Sequence, residues 1–538
     1  MSETRVAEHS EHTGHPRRWI ILGGLVFSLL VVVLDNTVLN VALKTMSEPK
    51  PKGLGASQSD LEWAINSYTL IFAGLLFTWG LLADRIGRKR VLMLGMVLFG
   101  ISSLLTAYAQ SPAELIAARA AMGFSGAAIM PSTLAIIANV FPRHEQPKAI
   151  GIWSGSVGLA IAIGPIVGGA LLNSFWWGSV FLINVPITAI AFVVMLLLLP
   201  ESKNPKPGRL DPVGVLLEMA GLVVFVYGII HAGDTGDWGS PSVWGSIGGG
   251  LLLLVGFVVW EMRVDHPALD VRLFANRSFS AAVIAVALTF FAMMGGMFFF
   301  SFYLQSVRGY TPLMSGVFML PFAAAMVIFA PLSSSMVKRF GPRMVAVSGL
   351  VAIAIAMACY QFVTQNSSMS IYLAIAFFQG AAMANVMPPA TTTVMSALPR
   401  QLAGVGSSVN NTVRQLGGAL GVAVLGTVLT TAYRDRMQPL VSAVPNEHLS
   451  SAQTNYISGS IEATQQAVGV AVGQGNTQAA GLLQPANDAF VHAMHITTLT
   501  GSGIMVFAAI VVALWMPKKV ALSGGPVDAA ARAESVAA

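Results

Sequence analysis

Apolar stretches of about twenty residues recur from Trp19 to Pro517, and a few ionisable side chains lie inside them. A helix needs about 20 apolar residues to cross a bilayer core of about 30 Å. A charge at mid-depth costs at least about 2.5–3.5 kcal/mol, so a purely structural span would carry Leu there. Asp35, Arg119 and Arg414 break that rule. The pattern restricts the chain to an all-α polytopic membrane protein and makes these three residues the first candidates for chemistry.

Composition excludes several classes. Of the 538 residues, 10% are charged and 55% hydrophobic, with a mean hydropathy of +0.70. A soluble domain would carry roughly 25% charged residues. The net charge of +6 does not mark a nucleic-acid partner, because the basic residues sit in short loops rather than on one face. Cys359 is the only cysteine, which rules out an internal disulfide and argues against a structural zinc or iron–sulfur centre. No phosphate-cradling loop, zinc-ligand spacing or hydrolytic triad stands out. Neither an enzyme nor a cofactor or metal is expected, so any work the protein does draws on a gradient.

The N-terminus imitates a secretory signal, with Arg17 and Arg18 before an apolar run from Ile20 to Leu34. The run continues through Leu43, too far for a signal, and reads as an uncleaved first helix. His9, His12 and His15 have a spacing that would suit a metal, but they lie in a polar tail. Helices are expected at 19–43, 61–83, 91–109, 113–140, 149–173, 180–199, 213–231, 242–260, 279–304, 312–337, 344–364, 371–397, 403–432 and 487–516. An even number of spans puts both termini on one side. Of the 30 lysines and arginines, 22 fall in loops and tails on that side and six on the other, with Arg119 and Arg414 within spans. Both termini are therefore expected in the cytoplasm.

An internal repeat divides the chain. Gly80-Leu-Leu-Ala-Asp84-Arg85-Ile-Gly87-Arg88 matches Ser334-Ser-Met-Val-Lys338-Arg339-Phe-Gly341-Pro342 at an offset of 254. Met122-Gly123 through Met130-Pro131 matches Gln379-Gly380 through Met387-Pro388 at an offset of 257. Two similar six-helix halves related by an axis along the membrane normal are a known plan. Two spans without counterparts fall between them, giving six plus two plus six. The expected division is a tail 1–18, a bundle 19–199, an inserted pair 200–278, a second bundle 279–516 and a tail 517–538. The segment 433–486 in the second bundle is too polar to span. It reads as a long loop, a binding lid, or a set of short surface helices.

Several motifs carry chemistry. In Gly80-Leu-Leu-Ala-Asp84-Arg85-Ile-Gly87-Arg88-Lys89-Arg90, the glycines allow a tight turn, and Asp84 can pair with Arg88 or accept from a helix N-terminus. Asp35 shares a small, polar helix face with Gly24 and Ser28. A buried carboxyl beside a movable arginine is able to bind and release a proton near neutral pH; the alternative is a fixed ion pair. Arg119 lies on one face with Gly123, Gly126 and Met130, where its partner is Asp35, a water chain or a backbone carbonyl. Gly151, Gly155, Gly158, Ala162, Pro165 and Gly169 form a small-residue seam, which suits either ordinary close packing or a helix that rocks against a neighbour.

The loop sequence at Gly80–Arg90 resembles the cytoplasmic motif of the major facilitator superfamily. Leu34-Asp35-Asn36-Thr37-Val38-Leu39-Asn40-Val41-Ala42-Leu43 resembles the first-helix motif of its fourteen-helix drug/proton antiporters. Leu115-Ile-Ala-Ala-Arg119-Ala-Ala-Met-Gly123-Phe-Ser-Gly126 is similar to their fourth-helix motif. Gly158-Leu-Ala-Ile-Ala-Ile-Gly164-Pro165-Ile-Val-Gly168-Gly169 is similar to their fifth-helix antiporter motif. Phe181-Leu-Ile-Asn184-Val-Pro186 and Asn410-Asn-Thr-Val-Arg414-Gln-Leu-Gly417-Gly418 fit the same subgroup. The motifs occur in order over nearly the whole chain. It departs from the pattern at Lys44, where the motif has Pro, at Lys338, which replaces the loop Asp, and at Ala376, which aligns with Arg119.

The resemblance implies a proton-coupled exporter of hydrophobic, often cationic drugs or antibiotics. Proton coupling would fall to Asp35 and Arg119. The conformational switch would comprise Gly80, Asp84, Arg85, Gly87 and Arg88, and the antiporter motif Gly158, Gly164, Pro165, Gly168 and Gly169. Candidate substrate contacts are Asn40, Met294, Met297, Phe298, Asn410 and Arg414; many Met and Phe side chains of their span must instead meet lipid or other helices. The expected partners are protons, small hydrophobic or cationic substrates and the lipid of the plasma membrane, with the chain a monomer. The alternatives are an exporter of one endogenous antibiotic, lipid or siderophore, and a membrane sensor without turnover.

Overall fold

The computed structural model describes residues 15–142, 144–203, 210–265, 267, 269–397, 403–443 and 450–518. His9 and His12, the tail beyond 518, and the loop basic residues Arg143, Lys206, Arg209 and Arg400 lie outside them. Among the described residues, fourteen helices are long and apolar enough to cross a membrane. The first six are α1 (Arg18–Ser47), α2 (Gln58–Ile86), α3 (Arg88–Ala107), α4 (Pro112–Val140), α5 (Lys148–Ser174) and α6 (Ser179–Leu198). Then come α7 (Pro212–Thr235) and α8 (Pro241–Arg263). The last six are α9 (Arg277–Val307), α10 (Pro312–Phe340), α11 (Pro342–Phe362), α12 (Met369–Ser396), α13 (Ser408–Ser442) and α14 (Thr477–Trp515).

Local signals place the ends. Ser57 accepts from the Asp60 amide, and the Asp60 carboxylate accepts from the Ser57 amide, a reciprocal cap that starts α2. Ser111 caps α4 ahead of Pro112, and Asp211 caps α7 ahead of Pro212. Gly87 ends α2 at φ 125° and Gly341 ends α10 at φ 83°, so the same turn recurs 254 residues later. The repeat extends to packing. Gly123 of α4 lies on the Tyr68 carbonyl of α2, and Gly380 of α12 lies on the Phe322 carbonyl of α10. Backbones approach this closely in lipid only where neither residue intrudes a side chain. Gly123→Val is expected to cost about 1–3 kcal/mol by overpacking. It should lower the unfolding temperature of the solubilised protein, whereas Gly23→Ala, which meets open space, should not.

The inserted pair α7 and α8 pack on each other, and α7 docks where the halves meet, on α2 and α13. Their terminus-side ends are tied by Trp260, whose indole N–H donates to Asp211 at 3.0 Å, and Glu261 holds the segment after α8 by accepting from the Leu269 amide at 3.2 Å. Gly74 of α2 accommodates Met219 of α7.

Two ends of the molecule differ. At the end away from the termini, here the loop end, the halves are clamped. Gly169 of α5 sits against the backbone of Pro312 and Leu313, and Gly316 of α10 sits on the Pro165 carbonyl. Gln305 donates to the Val41 carbonyl at 3.0 Å, and Lys44 donates to the Gln305 carbonyl at 3.4 Å. Lys44, the departure from the first-helix pattern, thus joins the two halves. At the terminus end the same α5 stripe, now Gly158, Gly155 and Gly151, meets nothing within 4 Å. Among the described residues, this seam does not meet the other half there.

The segment after α13 folds into helices Ser451–Ile457 and Ile461–Gly473. α13 also runs to Ser442 rather than ending at 432, and α14 starts at Thr477 rather than 487, both correcting the sequence reading. The polar turn at Tyr433 and Arg434 stays helical because protein, not lipid, covers it, while Asp435 and Arg436 next to it are exposed. Tyr433 bonds Thr464 at 2.8 Å, and Arg434 donates to the Gly233 and Asp234 carbonyls at 2.7 and 2.6 Å. The loop docks across both halves: Gln466 donates to the Ser47 carbonyl, Gln465 to the Ser306 carbonyl, and the Ser306 hydroxyl to Glu462 at 2.6 Å.

Burial pushes the Glu462 carboxyl up from 4.5 to about 7, against the opposing pull of Ser306 and Lys44. The docked loop therefore holds a proton more tightly than the free loop. Docking gains this contribution in full below the ordinary carboxyl value and loses it as pH rises through about 7. Amide protection across 461–473, corrected for intrinsic exchange, should fall as pH is raised through that range. In Glu462→Gln it should not depend on pH.

Candidate functional site

Asp35 and Arg119 meet inside the N-terminal half. Both side chains are fully buried, and the Arg119 Nη1 donates to Asp35 Oδ2. Helix spacing explains the arrangement: Asp35 lies on the α1 face shared with Ser28, which packs on Met96, and with Gly24, which receives Met195. Gly123 and Gly126 bring α4 close to α2, so the Arg119 side chain turns into the bundle. Its Nε donates to the Ala64 carbonyl at 3.0 Å and its guanidinium stacks 4.3 Å over Tyr68. Of the three partners open from sequence, the structure supplies Asp35 and a carbonyl.

Asn184 completes the group. Its amide donates to Asp35 Oδ1 at 3.2 Å and to Ser103 at 3.1 Å, and Ser103 donates to the Phe181 carbonyl at 2.8 Å. A buried ion pair in apolar surroundings is held by such extra hydrogen bonds, since desolvation opposes the Coulomb attraction. Removing one charge would strand the other, which makes the pair responsive to a single proton.

Asp35 does not line the cavity between the halves. That cavity is faced by the next residues around α1, namely Asn36, Thr37 and Asn40. It continues through Ile65 and Thr69 of α2, Met293 and Met294 of α9, and Asn411 and Arg414 of α13. A neighbouring lobe shares Ile161 and Met293 and adds Met297, Phe300, Tyr360 and Gln379. Asn40, Met294, Met297 and Arg414 thus come together as expected. Phe298 does not: it is fully buried and stacks edge-on with Phe302. Asn411 rather than Asn410 faces the cavity, a one-residue difference in helix phase. Most of the α9 aromatics are buried, because this helix is central and its neighbours replace lipid. Arg414 lies 4.5 Å over the Phe290 ring. Among the described residues, it is the only charged one lining either lobe.

The loop motif ties α2 to α4. Arg88 pairs with Asp84 at 2.9 Å and donates to the Ala135 carbonyl of α4 at 3.2 Å, while Gly80 lies beside Pro131. Arg85 is exposed. Gly87 admits the Glu201 carboxylate, which accepts from the Lys89 amide at 3.1 Å and caps α3. Local sequence does not single out Glu201, because its partner lies 112 residues away. In the antiporter motif, Gly164 and Gly168 receive Thr37 and Val38 of α1, and Pro165 and Gly169 meet α10.

The sequence model of the Major Facilitator Superfamily matches residues 25–422, most of the chain. The chain belongs to the major facilitator superfamily. This superfamily member is 33% identical over 420 residues to the tetracenomycin C resistance and export protein of Streptomyces glaucescens, covering 78% of this chain and 77% of the relative. It is 33% identical over 442 residues to the multidrug efflux pump LfrA of Mycolicibacterium smegmatis, covering 81% and 86%. Its fold matches a crystal structure of a bacterial homolog to the human lysosomal transporter Spinster, with a TM-score of 0.65, 18% identity, and 93% and 99% coverage.

Proposed function

We propose that this superfamily member is a proton-coupled antiporter that exports hydrophobic, often cationic drugs or antibiotics by alternating access. The observation that carries the reading is the Asp35–Arg119–Asn184 group, sealed in one half beside a central cavity clamped at a single end. Protonating Asp35 removes the partner of a buried guanidinium, and stranding such a charge costs about 3–5 kcal/mol. α1 and α4 then favour a different packing. Because Asp35 and the cavity lie on adjacent faces of α1, the proton and the drug act through movement of one helix rather than by touching.

The basic loops support a terminus end that faces the cytoplasm across a plasma membrane, and on that reading this is the state open to the cell interior. The protein works as a monomer in this account. The Asp84–Arg88 loop stiffens the N-terminal half so that it moves as a body. The similarity to a tetracenomycin C resistance and export protein supports a second reading, a dedicated exporter of one endogenous metabolite such as an antibiotic, lipid or siderophore. Energised everted vesicles test both. A drug-dependent loss of the pH gradient requires transport, and ligand binding without it would leave a sensor. A panel of dyes, fluoroquinolones and natural products separates broad from narrow cargo.

A further inference from the structure

A second cavity, of about 230 Å³, lies at the loop end between α2, α7 and α13, roofed by the helices after α13. Gln58, Glu62, Asp234, Thr430, Arg434 and Glu462 face it. Three of its charged groups have partners. Asp234 accepts from Ser59 at 3.1 Å, Glu462 accepts from Ser306, and the Arg434 guanidinium is held by the carbonyls that end α7. Glu62 is different. It is 2% exposed, lies against Gly426 where a side chain would displace it, and accepts no hydrogen bond from the described residues. Gln58 Nε2 and Thr430 Oγ1 beside it are also buried without partners.

A buried carboxylate without a donor is expensive unless a cation meets it. The cavity carries three carboxylates against one guanidinium, and Tyr456 supplies an aromatic wall of the kind that attracts organic cations. The central cavity has the opposite character, with Arg414 as its only charge among the described residues. The two are stacked on the same helices. Glu62, Ile65 and Thr69 fall on one face of α2, so Glu62 stands about 10 Å above Thr69 toward the loop end. Among the described residues, no group of three His, Cys, Asp or Glu is placed to hold a metal ion.

We infer that the cavity over Glu62 is a second binding site, which takes the charged group of an organic cation with Glu62 as counter-ion. A cationic cargo would then be read in two places, its rings in the central cavity and its charge on the way out. The role as an exit station rests on the exporter reading; the binding does not.

Equilibrium dialysis of methyl viologen, a compact dication, against the full chain in lipid nanodiscs tests the site. Glu62→Gln should weaken binding at least about tenfold, and Glu62→Asp should restore most of it. The uncharged relative 4,4′-bipyridine should bind both proteins alike. Thr430→Lys, which sets a competing cation beside Glu62, should produce the same loss and serves if Glu62→Gln does not fold. Unchanged methyl viologen affinity in these variants would overturn the site. Dialysis uses no gradient, so a chain that fails to transport would still show Glu62-dependent binding, and the two proposals fail separately.

Discussion

Asp35→Asn is expected to collapse an uphill drug gradient of about fiftyfold to unity while leaving drug exchange running. The ratio follows from the driving force: one charge moved through 100 mV yields about 2.3 kcal/mol, and about 1.36 kcal/mol corresponds to a factor of ten. Asn fills the space of a protonated Asp and keeps the Arg119 bond to the Ala64 carbonyl within reach, so the bundle should still insert and fold. Counterflow of labelled drug in proteoliposomes without a gradient should persist, since it needs only alternation. A mutant that still concentrates drug would remove Asp35 from the coupling step. Loss of both activities would instead mean that the residue holds the bundle together.

The second large effect concerns the seam on α5. Gly169→Leu drives a side chain into the backbone of Pro312 and Leu313, which now close the loop end. Overpacking of about 1–3 kcal/mol would shift the balance of the two states by roughly one to two decades toward a molecule open at that end. Gly158→Leu does the reverse. Its side chain enters open space here but blocks the terminus halves of α5 and α10 from meeting. With Cys359 replaced and Asn36→Cys introduced on the cavity wall, an impermeant maleimide reads the difference. Labelling from the loop side should rise in Gly169→Leu and fall in Gly158→Leu, with export lost in both. Equal labelling in the two variants would contradict a rocking seam.

Much of this was legible in the sequence because lipid makes strong demands. Charge is so costly in a span that Asp35, Arg119 and Arg414 stood out at once, and the repeat located Gly87 and Gly341 in matching turns. Helix phase was the weaker signal. An error of one residue, about 100° around a helix, separates Asn410 from Asn411 and hides that Asp35 turns away from the cavity that Asn36 faces. Long-range cover was not legible at all. Glu62 sits near the start of α2, where a solvated carboxylate would be ordinary. It is buried only because α13 and the helices near residue 460 close over it. The sequence places Arg434 in a loop for the same reason, since nothing local announces that the end of α7 receives it.

Proton release on adding drug to purified protein in weakly buffered solution near neutral pH tests the coupling most directly. The wild-type chain should release protons in a saturable, drug-dependent manner, and Asp35→Asn should release none while still binding the drug. Equal release from both proteins, or uphill export by a wild-type chain that releases none, would contradict proton exchange at the Asp35–Arg119 pair.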